Sequence, residues 1–234
     1  MSPDVPTSPE DLITLRLARR VLRRDVGRVA DLAGGLLAGT HQLDPRRLTV
    51  FSTVTEQLCD ELVGNQAFES VLLWPTLERH APEAVAAVAP DARHVELRGV
   101  FDEARRASRT VVRNLTARPA ALATATDHRD TGSLARAWDA VRDGLGGFFD
   151  ATDDLLVTVV TTAVPRAEWV EVLEEARRRL PDRKAAAARV LEVATPEELA
   201  LLGDRLGRRA PLGRRGAGRR RRTDDALLFG ADGG

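Results

Sequence analysis

Four long stretches of this chain repeat apolar residues at steps of three and four, turn after turn, and that spacing leaves little choice of fold. Leu15, Leu22, Val26 and Val29 carry it in the first. Phe51, Val54, Leu58, Leu62 and Leu72 carry it in the second, and Leu97, Phe101, Ala104, Val111 and Leu115 in the third. Leu134, Trp138, Val141, Leu145, Phe148, Leu155 and Val159 carry it in the fourth. Such steps line up side chains on one stripe of an α-helix. No segment alternates at period two for long enough to build a sheet. The spacing predicts an all-α chain. Four amphipathic helices of this length bury their stripes as an up-down-up-down four-helix bundle.

Punctuation residues set the expected boundaries. Ser8-Pro9-Glu10-Asp11 combines a capping side chain, a first-turn proline and acids at the positive end of the helix dipole, so the first helix starts there and runs to about Gly34. Asp44-Pro45 starts the second helix, which Pro75 ends or kinks because proline has no amide to donate. A short helical piece at 82–88 precedes the third helix at Pro90. Residues 117–132 read as a loop, and the fourth helix spans about 133–163. Shorter helices follow at 166–180, 183–193 and 197–206, the last opened by a Thr195-Pro196-Glu197-Glu198 capping box. The expected organisation is a flexible lead over 1–8, a bundle over 9–163, a helical extension over 164–207 and a disordered basic tail over 208–234.

Composition narrows the function classes. The chain has 234 residues, 43% of them apolar, enough for a sizeable core. Thirty-five basic and 35 acidic residues cancel, so the whole molecule has no net pull toward nucleic acid or membranes. The charge is uneven, since residues 208–222 hold eight arginines and no acid. Within that tail Arg219, Arg220, Arg221 and Arg222 are the candidate contacts to nucleic acid or another anionic partner, without interleaved aromatics for base stacking. Cys59 is the single cysteine, which excludes an internal disulfide and a thiolate cluster. The N-terminus lacks a basic region followed by an apolar run, and no apolar run reaches membrane-spanning length, so a cytoplasmic protein is expected. No enzyme is expected: no nucleophile–base arrangement, phosphate-cradling loop or nucleotide fingerprint can be defended.

The informative residues are polar ones in the apolar stripes. Arg19 interrupts the first, Asn65 and Glu69 the second, and His94 begins the third. Asp153 lies one step off the fourth, five residues after Phe148. Polar side chains converging from several helices of a bundle are how carboxylate-bridged metal pairs are held.

With these residues in place, the chain resembles the hemerythrin-like family, the HHE cation-binding bundles rich in His and Glu. The likeness is carried by LVGNQAFESVLLWPTL, by RRVLRRDVGRVADL before it, and by ARHVEL and FFDATDDLLVTVV after it, across roughly residues 10–205. The resemblance implies the bundle and places its di-iron ligands at Arg19, Asn65, Glu69, His94, Phe148 and Asp153. Three of those six positions carry side chains that cannot serve as imidazole ligands: Arg19, Asn65 and Phe148. Only Glu69, His94 and Asp153 retain groups able to hold iron or another divalent cation.

An acid left in a core without its cation is costly, so Arg19 is expected to supply the missing positive charge to Glu69 and Asp153, with Phe148 filling vacated space. The expected function is a binding or regulatory module that carries no oxygen and holds no cofactor. Two alternatives stand beside it. One is a residual mononuclear site for sensing or storage, and the other a scaffold acting through its arginine tail.

Overall fold

A computed structural model of the protein describes residues 7–117, 128–179, 183–206 and 217–230, and these are helical almost throughout, with no β-strand among them. After a 3-10 turn at Pro9–Leu12 come α1 (Ile13–Ala38) and α2 (Pro45–Phe68). A π-helical turn at Glu69–Leu73 then leads into α3 (Trp74–His80). Next come α4 (Pro82–Val88), α5 (Pro90–Ala117) and α6 (His128–Thr162), then α7 (Arg166–Arg179), α8 (Arg183–Val193), α9 (Pro196–Leu206) and α10 (Ala217–Phe229). The fold is all-α, and no helix among the described residues is long and apolar enough to cross a membrane.

Local chemistry explains the boundaries. The Ser8 amide and hydroxyl both donate to Asp11 Oδ2 at 2.9 Å, closing the first turn. α1 passes through Gly34, where the sequence suggested its end, and stops at Gly39. That residue has φ 73, the left-handed conformation glycine adopts most readily after a helix. Asp44 accepts from the Arg47 amide at 2.8 Å at the head of α2. Thr195 and Glu198 form the reciprocal box at the head of α9, at 2.8 and 3.2 Å. α6 begins at His128, five residues before the start read from sequence, so part of the expected loop is helix, and residues 118–127 lie outside the described set.

Pro75 neither ends α2 nor simply kinks it. Proline offers no amide to the carbonyl of Val71, four residues back. The turn before it is wound with one residue more, and the Trp74 amide donates to the Glu69 carbonyl, five residues back. The apolar stripe moves with it: Leu72, expected to face inward, is half-buried, while Leu73 and Trp74 are buried.

The chain divides into two compact units. The first takes Met1–Val21, Gln66–Ala92 and Phe148–Arg221, and the second Leu22–Asn65, Arg93–Gly147 and Arg222–Gly234. In the first unit the buried side chains include Leu12, Leu73, Trp74, Leu77, Phe149 and Trp169. The Trp169 indole donates to the Asp11 carbonyl at 3.1 Å, and the Thr7 hydroxyl to that of Val164 at 2.9 Å. α8 and α9, expected as an extension, pack with the start of α1. Leu202 meets Ile13 and Leu17, with Val190, Val193 and Leu199 around them. In the second unit Phe51, Leu62, Leu134, Trp138 and Val141 are buried, and the Trp138 indole donates to Ser108 at 3.0 Å.

The tail corrects one expectation. Residues 208–234 were read as disordered because they show no periodic face. Ala217–Phe229 is instead a helix, and Leu228 within it is fully buried. Residues 207–216 and 231–234 lie outside the described set, as do the side chains of Arg219, Arg220, Arg221 and Arg222.

Candidate functional site

Polar residues of α1, of the π-helical turn and of α6 meet inside the first unit, and Arg19 is at their centre. Its position on α1 is inward-facing by spacing, four residues after Leu15 and three before Leu22, and its side chain is 3% exposed. Nη2 donates to Glu69 Oε1 at 3.0 Å. Nη1 donates to Asp153 Oδ1 at 2.5 Å and to the Thr152 hydroxyl at 3.0 Å. The Thr152 hydroxyl spends its own proton on the Phe148 carbonyl at 2.8 Å, which turns a lone pair toward the arginine. The Arg19 Cζ lies 4.6 Å from the centre of the Phe149 ring, a cation over a π-face. Its Nε is buried without an acceptor among the described residues.

The two carboxylates are not equivalent. Glu69 is 1% exposed and sits at the first residue of the π-helical turn. Asp153, one step off the α6 stripe, keeps a side chain 42% exposed. The buried cation and buried anion compensate each other, while the surplus negative charge of the second carboxylate is shared with water. That division suits the cost of charge in a low-dielectric interior, which is severe for an unpaired ion and small for one at the rim.

Phe148, the aromatic at a former ligand position, is buried and meets Trp74 edge-on at 6.2 Å between ring centres. Phe149 lies 6.1 Å from Phe148. Apolar rings therefore stand beside the guanidinium. Asn65 is half-buried and His94 buried, both in the second unit. Among the described residues no three His, Cys, Asp or Glu side chains are gathered to hold a metal ion. An oxygen of each of the two carboxylates is instead committed to Arg19, and a guanidinium, itself a cation, cannot share them with a metal without repulsion. The residues present do not fit a di-iron pair.

Thr152 and Phe149 belong to this cluster and were not singled out as site residues from the sequence. Thr152 stands on the α6 stripe as a polar break like the others, and that was its signal. Phe149 gave none, since an aromatic beside a stripe reads as packing.

A second polar cluster in the first unit joins α3 to α7. Glu168 accepts from Arg79, and His80 Nε2 lies 2.7 Å from its other oxygen. Burial pushes the Glu168 carboxyl up, but the hydrogen bonds from Arg79 and His80 and their charges outweigh it and hold it below the usual carboxylate value.

No family model, curated protein or solved structure matches this chain.

Proposed function

We propose that this chain is a hemerythrin-like, up-down-up-down four-helix bundle in which a guanidinium stands where the family holds metal, and that it works as a binding or regulatory module without carrying oxygen. The observation that carries this reading is the placement of Arg19 between Glu69 and Asp153, with Thr152 and Phe149 completing its surroundings. The family's site needs several imidazoles around two irons. Here the helix-one position is a permanent cation and the helix-four position is a phenyl ring. A planar fork of donors satisfies two carboxylates at once, and its charge persists at every physiological pH. Nothing in such a cluster activates water or oxygen, so the reading assigns no catalytic step.

The test is metal content. Protein purified from iron-supplemented cells is expected to hold no stoichiometric iron by elemental analysis and to show no absorption beyond that of its aromatic residues. One or two irons per chain, with the absorption of an oxo-bridged pair, would overturn the reading.

A further inference from the structure

Specific contacts attach α10. Arg28 of α1 donates through Nη1 to Asp225 of α10 at 3.0 Å, with both side chains less than one-fifth exposed. The same guanidinium lies with its Cζ 4.1 Å from the centre of the Phe229 ring. Arg47 of α2 donates through Nη2 to the Leu228 carbonyl at 2.9 Å. Leu228 itself is fully buried. All three contacts lie within the second unit.

Asp225, Leu228 and Phe229 stand at positions i, i+3 and i+4, so they share one face of α10. An acid, an aliphatic anchor and an aromatic on one helical face is the pattern by which a groove reads a docked helix. The Arg47 bond adds direction. Leu228 is in the last turn, where carbonyls have no intrahelical amide to accept from, so Arg47 reads a helix C-terminus. Among the residues of α10 whose side chains are described, Thr223 and Ala226 are exposed and Leu228 is the buried one. A segment with a single buried apolar side chain among those described belongs to the part of a structure that opens most easily.

We propose that Arg28 and Arg47 form a docking site for the C-terminal end of a helix bearing an Asp-x-x-Leu-Phe face, that α10 occupies it as a removable cover, and that a partner helix with the same three side chains displaces it. The site is independent of the Arg19 cluster, and neither depends on the other being right.

The test uses the full chain. A fluorescein-labelled peptide of residues 217–230 is titrated with wild-type protein and with Leu228→Asp, whose own cover no longer seats. The peptide is expected to bind Leu228→Asp about tenfold tighter than wild type, and to lose about as much when Arg28→Glu is added to that protein. The same peptide carrying Leu228→Asp is expected not to bind. A milder change guards against misfolding. Asp225→Lys is expected to speed hydrogen exchange over Ala226–Phe229 by about tenfold, and the exchanged pair Asp225→Lys with Arg28→Asp to restore it. Equal peptide affinity for wild type and Leu228→Asp, or unchanged exchange in Asp225→Lys, overturns the proposal.

Discussion

At the residue scale, Arg19 and Asp153 share a hydrogen bond but are expected to matter very differently. Arg19→Ala removes the buried cation that pairs with Glu69, and breaking a buried pair costs about 3–5 kcal/mol. Asp153→Ala removes a partner that is 42% exposed, and exposed pairs contribute roughly 0–1 kcal/mol. Urea unfolding of the two variants checks the contrast. Arg19→Met combined with Glu69→Leu is expected to cost far less than Arg19→Ala alone, because the orphan charge leaves with its partner. Cys59 gives a second expectation. It is buried, and desolvation pushes its thiol up to about 11. Only the thiolate is nucleophilic, so at pH 8 a disulfide reagent is expected to react with it on unfolding and not before. Much at this scale was legible in the sequence. A lone arginine inside an apolar stripe, with an acid on two other helices, announces a charge that must be answered. Phe149 was not legible, because spacing reports which side a residue faces and not which neighbour it stacks on.

At the scale of elements, stripes predicted from spacing match burial along α1, α5 and most of α6, where every turn is α-helical. Val54 and Leu155 are half-buried within regular helix, and the π-helical turn at Glu69–Leu73 delays the stripe by one residue. Pro75 was visible in the sequence as a disturbance. Whether a chain meets it by ending, bending or taking in an extra residue depends on what the neighbouring side chains can bury, here Leu73, Trp74 and Leu77. The tail helix α10 escaped notice for a related reason. Its polar run has no stripe, and the contacts described for it lie toward its end. The junction of α4 and α5 carries strain instead. Ala89 is exposed with φ 45, a left-handed backbone that costs a residue bearing a Cβ about 1–2 kcal/mol. Ala89→Gly relieves it and is expected to raise stability by about 1 kcal/mol in thermal unfolding, net of glycine's greater freedom when unfolded.

At the scale of the whole molecule, carboxylates held by arginines link stability to pH. A hydrogen bond from Arg109 keeps the Glu56 carboxyl below its ordinary value against the opposing effect of burial, and one from Arg20 does the same for Glu198. Glu168 is shifted the same way. A carboxyl with a depressed folded pKa binds fewer protons folded than unfolded. The stability it confers is therefore complete above the ordinary carboxylate value and drains away as pH falls through the folded one. The urea midpoint is expected to hold between pH 7 and about pH 5 and then drop, and Glu168→Gln to flatten part of that drop. The same descent strips charge from 35 acids while 35 bases keep theirs, so self-repulsion deepens the loss.

The cation that answers Glu69 is tethered to the backbone by its own side-chain stem. It reaches its seat whenever α1 folds, at one equivalent per chain, with no loading step and no dependence on what the cell can supply. Such a core is finished at synthesis. Under the proposed reading, starvation for a nutrient ion or exposure to a chelator is expected to leave it as it was.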